Sequence, residues 1–130
     1  MITYRSDVRP DVRTIAELYR AALLNRPVDD LDRIRRMYDG SNLILTAWEG
    51  SRLAGILRGW TDEARDGYVC DLAVYPDYQR RRIGATLLEL VREGRPEVDW
   101  ILRASTIATD YYQHIGWKKI ENGWSWPREK

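Results

Sequence analysis

The apolar positions in the first third of the chain repeat at helical spacing. One stripe predicts a helix that Asp11 caps at its start, with the apolar positions Val12, Ile15, Leu18, Tyr19 and Ala22. A second stripe of Leu31, Ile34 and Met37 predicts a helix from about Asp30 to Tyr38 that ends at Gly40. A short strand is predicted before them, at residues 2–5.

The middle of the chain changes to strand patterns. Residues 42–49 and 52–60 flank Gly50-Ser51, which predicts a hairpin. Residues 68–74 (YVCDLAV) predict a further strand, in which Val69, Asp71 and Ala73 share one face. A turn marked by Pro76, a basic loop and an amphipathic helix that runs to Val91 follow this strand.

The last third predicts three further strands and a short helix. A strand is expected at residues 100–104, a helix at 109–115, and a hairpin about Asn122-Gly123 between residues 117–120 and 124–126. The whole chain is then a single domain, residues 1–130, of mixed α/β (α+β) class. We expect a central, mostly antiparallel mixed sheet of about six or seven strands flanked by about four helices.

Composition excludes several classes of protein. The net charge is +1, from 21 basic and 20 acidic residues, whereas nucleic-acid and membrane-surface binders need a sustained basic excess. Cys70 is the single cysteine and His114 the single histidine, so we expect neither a disulfide framework nor a metal site. No run of about 18 apolar residues and no signal-peptide pattern stands out, so a cytoplasmic protein is expected.

The stretch from Tyr68 to Val91 predicts an anion site. A strand that leads through a loop into a helix start directs backbone N–H groups and a positive dipole end at one place, and phosphate is the natural ligand. Gly84 is the only glycine between Val74 and Leu87, so a dinucleotide fingerprint and a Walker loop are both excluded. The alternative, that Arg80–Arg82 are a solvated charge run, does not explain the strand, Pro76 and Gly84.

Two motifs resemble those of the GNAT superfamily of N-acetyltransferases. Residues 79–85 (QRRRIGA), after the strand end LAVYP, resemble the pyrophosphate motif Q/R-x-x-G-x-G/A. Residues 108–117 (ATDYYQHIGW) resemble A-x-x-F-Y-x-x-x-G-F. The chain departs from the family pattern at Arg82, which replaces the first glycine, and at Ser105, where an asparagine is common. A residue forced to φ > 0 at Arg82 would cost about 1 to 2 kcal/mol.

The resemblance implies a GNAT-like fold, with acetyl-CoA as acyl donor and no metal. The pantetheine arm would lie along Leu72, Ala73 and Val74. The pyrophosphate would be held by Gln79, Arg80, Arg81, Arg82, Ile83, Gly84 and Ala85, with further cofactor contacts from Ser105 and Tyr111. Tyr112 would donate a proton to the leaving thiolate; the alternative is a core aromatic.

Acetyl transfer to an amine also requires deprotonation of the amine. An alkylammonium with a pKa of about 10.4 is neutral about once in 2,500 molecules at pH 7, which costs about 4.6 kcal/mol. Asp71 lies in a strand that is apolar on both sides, so its carboxylate must be hydrogen-bonded, paired or linked to water. It is either a base that acts through water, as in members of the family, or a structural residue.

The expected acceptor is the primary amine of a small molecule, in a pocket with Trp60, Trp124 and Trp126 as candidate walls. A protein or peptide acetyltransferase and a non-catalytic acyl-CoA-binding sensor are the alternatives. Dimerisation is common in the family, and the Trp-rich C-terminal hairpin is a candidate homodimer contact. No nucleic-acid or membrane partner is expected.

Overall fold

One five-stranded sheet organises the protein. The computed structural model describes residues 1–105 and 108–130. Its strands are β1 (Thr3–Arg5), β2 (Leu43–Glu49), β3 (Arg52–Thr61), β4 (Asp66–Val74) and β5 (Asp99–Leu102). Its helices are α1 (Val12–Ala21), α2 (Leu31–Asp39), α3 (Ile83–Arg92) and α4 (Thr109–His114), and a 3₁₀ turn lies at Pro76–Tyr78.

The strands follow one another across the sheet in chain order. Neighbours from β1 to β4 are antiparallel, and β5 pairs in parallel with β4. The predicted mixed class, with a mostly antiparallel sheet and four helices, is therefore confirmed. None of the described helices is long and apolar enough to cross a membrane.

The predicted number of six to seven strands is wrong. The described residues form five strands, because the hairpin expected about Asn122-Gly123 is absent: residues 117–130 contain no strand. A two-stranded hairpin is marginal in water unless it packs against something else. Ile120, Trp124 and Trp126 are 51%, 97% and 97% exposed, so the apolar side chains of the two arms gain little packing that would hold a hairpin together.

The sheet separates two apolar cores. On one face α1 and α2 pack through Ile15, Leu18, Tyr19, Ile34 and Tyr38. On the other face α3 packs through Ile83, Leu87, Leu88 and Val91, with α4 residues Tyr112 and Ile115 against it. The predicted helix starts are confirmed: Asp11 accepts a hydrogen bond from Thr14 N (2.9 Å), and Asp30 accepts one from Arg33 N (3.0 Å).

A β-bulge interrupts β4 at Cys70. Gly59 pairs with Val69 and Arg58 pairs with Asp71, which leaves Cys70 as an extra residue on β4. Strict alternation predicted one shared face for Val69, Asp71 and Ala73. Instead Val69 packs in the α3 core and Ala73 in the α1–α2 core, because the extra residue turns the strand over.

Gly59 makes this bulge sterically allowed. A Cβ at Gly59 would lie 2.5 Å from the Tyr68 carbonyl oxygen, a backbone atom that cannot swing away. An isolated glycine inside a strand pattern is a known sign of a bulge or of a close backbone approach.

Gly59→Ala is expected to destabilise the fold by about 2 kcal/mol or more, because the new Cβ forces the bulge backbone apart. Gly40→Ala is the matched control, since a Cβ there would lie 3.5 Å from Arg36 O, at ordinary contact distance. Urea unfolding of both variants measures the difference. Equal stabilities of the two variants would contradict the proposed role of Gly59.

Candidate functional site

The candidate site begins where β4 and β5 separate. The parallel ladder joins residues 66–69 of β4 to residues 99–102 of β5 and ends at the pair Val69–Leu102. From Asp71 to Val74, β4 is paired with β3 alone among the described strands. Its other edge therefore presents backbone N–H and C=O groups that no described strand satisfies, which is the arrangement to which an extended amide chain can add.

The turn after β4 is held firmly against the sheet. Tyr75 N donates to Ala54 O (2.9 Å), and the buried Tyr78 donates its hydroxyl to Glu49 Oε1 (2.7 Å). The Gln79 side-chain amide donates back to Val74 O (3.2 Å). These contacts anchor the start of the following loop next to Val74, where the unpaired edge of β4 ends.

Arg82 occupies a left-handed backbone conformation at the start of α3. Its φ is 58° and its ψ is 21°, and it is the N-cap residue of the helix, with no side-chain capping bond. Arg80 also has a positive φ, of 66°. The position where the family motif has its first glycine does require φ > 0 here, and the chain bears the cost of about 1 to 2 kcal/mol.

The N-terminus of α3 has donors free for an anion. The first helical bond runs from Thr86 N to Arg82 O (2.9 Å), so the N–H groups of residues 83–85 lie before the helical ladder begins. Ile83 and Ala85 bury their side chains in the core and offer only backbone at this place. The N–H groups outside the ladder and the positive end of a ten-residue helix make this place a candidate phosphate site.

The arginine side chains near this site take part in weak contacts at the protein surface. Arg81 pairs loosely with Glu49 (3.6 Å) and lies over the Tyr78 ring, while Arg82 pairs with Glu89 (3.2 Å). These guanidinium groups and Arg80 are exposed. Exposed pairs are worth about 0 to 1 kcal/mol, so the arginines can turn to a bound anion at little cost.

Gly84 brings three elements together. A Cβ at this position would lie 3.1 Å from the Tyr111 hydroxyl and 3.6 Å from Leu72 Cδ2. Tyr111 of α4 thus places its hydroxyl at the start of α3 and beside β4. Burial raises the pKa of Tyr111, although the Arg82 charge and the Ala85 N–H act in the opposite direction.

Tyr112 lies on the neighbouring face of α4. Its ring makes edge contacts with Tyr111 and Trp117, and it packs half-buried in the α3 core together with Leu102, where β5 leaves β4. Burial raises the pKa of Tyr112 above its ordinary value of 10.0. Both tyrosines of the second motif are therefore near the split between β4 and β5, Tyr111 at the loop and Tyr112 against the β5 side.

Ser105 makes local contacts before α4. Its Oγ accepts from Ala108 N (3.3 Å), and its carbonyl oxygen accepts from Ala108 N (3.0 Å) and from the Thr109 hydroxyl (3.2 Å). The side chain thus supports the entry into the helix that carries Tyr111 and Tyr112. A direct cofactor contact from Ser105 stays a prediction.

Asp71 is held by three donors. Arg26 Nε donates to Oδ1 (2.6 Å), while Arg58 Nε (2.6 Å) and the Tyr19 hydroxyl (2.7 Å) donate to Oδ2. The Tyr19 hydroxyl is also hydrogen-bonded to that of Tyr38. We refer to Asp71, Arg26, Arg58, Tyr19 and Tyr38 as the Asp71 cluster.

The contacts of Asp71 favour the structural alternative over the base. Burial alone would raise the pKa of this carboxyl, but the Arg58 hydrogen bond and the charges of Arg58 and Arg26 hold it below the ordinary value of 3.8. Its side chain has no exposed surface to which water could bind. A carboxylate with a lowered pKa and two arginine partners is a poor proton acceptor.

The arginine partners of Asp71 were not predicted from the sequence. Arg26 lies in the connection between α1 and α2, 45 residues before Asp71, and Arg58 faces Asp71 across the ladder between β3 and β4. The useful signal was Asp71 itself, because an acid in an apolar strand demands partners.

The candidate acceptor residues separate into two groups. Trp60, at the end of β3, is 46% exposed and pairs in register with Tyr68 of β4, near the sheet split. Trp124 and Trp126 are each 97% exposed and lie in the segment without strands, so the structure does not bring them to the cleft.

Comparison with known proteins agrees with this geometry. A family model described as "Acetyltransferase (GNAT) domain" matches residues 20–124. No curated protein sequence matches the chain significantly.

Solved structures share the fold over the full length. A probable acetyltransferase of unknown function from meticillin-resistant Staphylococcus aureus is 19% identical, over 98% of this chain and 99% of that one, with a TM-score of 0.82. A GNAT family acetyltransferase from Streptococcus pneumoniae is 22% identical over 100% of both chains, with a TM-score of 0.77. An aminoglycoside acetyltransferase from an uncultured soil metagenomic sample, in complex with sisomicin, is 15% identical over 99% and 96%, with a TM-score of 0.70. Identities this low show the fold alone.

Asp71→Asn is expected to cost about 3 to 5 kcal/mol of folding stability near neutral pH, because two arginines then face an uncharged amide. The lowered pKa makes this contribution fully present above the unfolded-state value and lost as the pH falls through the folded-state value. Urea unfolding from pH 7 to pH 3 should therefore show the gap between the two proteins constant down to about pH 5 and smaller below about pH 4. Asp77→Asn, in an exposed pair with Arg52, is the control and should cost about 0.5 kcal/mol or less. A gap that widens as the pH falls would refute the assignment.

Substitutions at Arg82 test its left-handed backbone. Arg82→Gly should be more stable than Arg82→Ala by about 1 kcal/mol, since both lose the Glu89 pair and only glycine is free of strain at φ 58°. At Arg81, which does not have a positive φ, alanine should be the more stable by about 0.5 to 1 kcal/mol. Thermal unfolding of the four variants measures both orders, and the same order at the two positions would disprove the conformation.

Proposed function

The chain belongs to the GNAT family of acetyltransferases, and from that premise we propose that it transfers the acetyl group of acetyl-CoA to the primary amine of a small molecule. The observation that carries the proposal is the continuity of two features. The unpaired edge of β4 leads through an anchored turn into the left-handed start of α3. One extended ligand with amides along its length and phosphates at its end fits both.

The free strand edge suits the pantetheine arm. Residues 72–74 present main-chain groups on the side that β5 has left, and amide groups of an extended chain bond to such an edge as an added strand would. The side chains of Leu72 and Val74 are only half-buried in the α3 core and can cover the apolar parts of the arm.

The start of α3 suits the pyrophosphate. The N–H groups of residues 83–85 supply fixed donors, and the exposed guanidinium groups of residues 80–82 supply mobile positive charge. At Gly84 the Tyr111 hydroxyl lies 3.1 Å from where a Cβ would be, so a larger residue would have to displace this hydroxyl by a few tenths of an ångström. Gln79, which reaches back to Val74 O, keeps the loop close to the strand.

Tyr112 is the proposed general acid. Bound acetyl-CoA supplies a thioester whose carbonyl carbon the amine attacks, and the departing sulfur then needs a proton. With reference pKa values of about 10 for tyrosine and about 8.5 for a thiol, proton transfer is uphill by about 2 kcal/mol before burial is included. Burial raises the pKa of Tyr112 further, so the hydroxyl donates its proton as the carbon–sulfur bond breaks rather than earlier.

Deprotonation of the amine does not fall to Asp71 in this proposal. The carboxylate is sealed from solvent by Arg26, Arg58 and Tyr19 and has a lowered pKa. The amine instead loses its proton to water on entry, at the cost of about 4.6 kcal/mol at pH 7 for an ordinary alkylammonium.

Trp60 is the proposed aromatic wall of the acceptor pocket. It is half-exposed beside Tyr68, and the adjoining loop carries Asp62, whose negative charge suits a cationic amine, whereas the Glu63 carboxylate is paired with Arg95 (3.0 Å). Amine-bearing sugars belong among the acceptors to test, since one structural neighbour is an aminoglycoside acetyltransferase bound to sisomicin. A homodimer through the C-terminal segment stays a prediction.

Calorimetry with acetyl-CoA, followed by a thiol-release assay with a panel of aromatic amines, polyamines and aminoglycosides, tests the function. Tyr112→Phe should lower kcat by about a hundredfold or more for the amine that the wild type accepts. Tyr4→Phe, on β1 at the opposite edge of the sheet from β5, is the matched control and should retain wild-type turnover.

Three other outcomes of these measurements would each contradict part of the proposal. Wild-type turnover in Tyr112→Phe would remove the hydroxyl from the mechanism. Binding of acetyl-CoA without thiol release for any amine would contradict the enzyme and support a sensor. No binding of acetyl-CoA would overturn the proposal altogether.

A further inference from the structure

Arg26 holds two consecutive residues of β4 with one guanidinium group. Its Nε donates to Asp71 Oδ1 (2.6 Å) and its Nη2 donates to the Cys70 carbonyl oxygen (2.9 Å). The Nη1 donates to Asn25 O (2.7 Å), which fixes the arginine to its own loop. The side chain is 26% exposed, so it reaches the strand from the protein surface.

The residue that Arg26 holds is the one that the β-ladder leaves out. Cys70 is the extra residue of the bulge between the pairs Gly59–Val69 and Arg58–Asp71. The carbonyl of a bulged residue is displaced from the regular ladder and needs another donor if it is not to be left unsatisfied. Arg26 supplies that donor from outside the sheet.

The remaining contacts make Arg26 part of a rigid frame. Arg58 donates to Asp71 Oδ2 and also reaches Met37 O (3.3 Å) and Ser41 Oγ (3.1 Å) at the end of α2. Asp71, fixed by Arg58 and Tyr19, therefore offers Arg26 an immobile partner. Of the two arginines, only Arg26 contacts the bulge carbonyl.

We propose that Arg26 is a positioning residue that fixes the bulge at Cys70 and so sets the direction of the unpaired β4 edge at residues 72–74. The bulge lies at the point where β4 leaves β5, immediately before that edge. If the backbone at Cys70 could change its conformation, the main-chain groups of residues 72–74 would rotate away from an incoming amide chain. The link to acetyl-CoA rests on the proposed function; the link between Arg26 and the bulge does not.

A lysine cannot replace Arg26 in this role. Its single ammonium group can approach the Asp71 carboxylate, but it lacks the planar fork that reaches a carboxylate and a neighbouring carbonyl at fixed spacing. Arg26→Lys thus keeps the charge that the buried carboxylate needs and removes the grip on Cys70.

The single cysteine of the chain reports on the bulge directly. Cys70 is half-buried, and burial raises the pKa of its thiol, so a fixed bulge keeps alkylation slow. The alkylation rate with N-ethylmaleimide, the acetyl-CoA Kd from calorimetry and the melting temperature are measured for the wild type and three variants. The variants are Arg26→Lys, Arg58→Lys, which touches Asp71 but not the bulge carbonyl, and Arg20→Lys, whose pair with Asp29 is exposed.

Arg26→Lys should remain folded, with Cys70 alkylated at least about tenfold faster and acetyl-CoA bound at least about tenfold more weakly, the scale of one hydrogen bond from a charged group. Arg58→Lys should lower the melting temperature while both other readouts stay within about threefold of wild type. Arg20→Lys should leave all three unchanged. If the lysine variant does not fold, Arg26→Gln replaces it. This variant places no charge near the strand, Arg58 still pairs with Asp71, and the same faster alkylation and weaker binding are expected.

Two results would overturn the inference. One is a folded Arg26 variant with wild-type alkylation and affinity, and the other is an Arg58→Lys effect on both readouts as large as that of Arg26→Lys. Failure of the wild type to bind acetyl-CoA would contradict the proposed function instead. The alkylation rates would still decide whether Arg26 fixes the bulge at Cys70.

Discussion

The carboxylate of Asp71 has no exposed surface, and the rest of the structure is arranged to neutralise it. A buried charge without partners costs several kcal/mol, so the donors must come to the strand. Arg26 arrives from the connection between α1 and α2, Arg58 from the facing strand, and the Tyr19 hydroxyl from α1. The helical layer is thereby tied to the sheet at one place in β4.

That place is also where the regular sheet ends. The bulge at Cys70, allowed by Gly59, turns β4 over, and the parallel pairing with β5 stops at Val69. After Val69, one edge of β4 is not paired with any described strand, and the chain continues from this strand through the turn and loop to the start of α3. The buried Asp71 cluster and the proposed cofactor cradle are therefore neighbours on one strand, although the proposed mechanism gives the carboxylate no part in the chemistry.

Local signals in the sequence predicted local structure well. Asp11 and Asp30 cap the helices predicted from them, Gly50 turns the hairpin with φ +59°, and residues 79–85 form the loop and helix start that the motif implied. The αL backbone at Arg82 follows from the same motif. These features depend on a few consecutive residues, whose preferences are fixed by sterics and nearby hydrogen bonds.

Features that depend on residues far apart in the chain could not be predicted from the sequence. Burial predicted that Asp71 needs partners but could not choose Arg26 and Arg58 from among the other basic residues. The bulge reversed the face expected for Val69, because one extra residue shifts a period of two. The turn residues Asn122-Gly123 predicted a hairpin, yet a favourable turn does not hold two strands together when their side chains do not pack against the rest of the protein. The most direct test of the account is a crystal structure of the protein with coenzyme A. It should show the pantetheine amides bonded to the main chain of residues 72–74 and the pyrophosphate on the N–H groups of residues 83–85, whereas a ligand bound elsewhere, with the β4 edge empty, would contradict it.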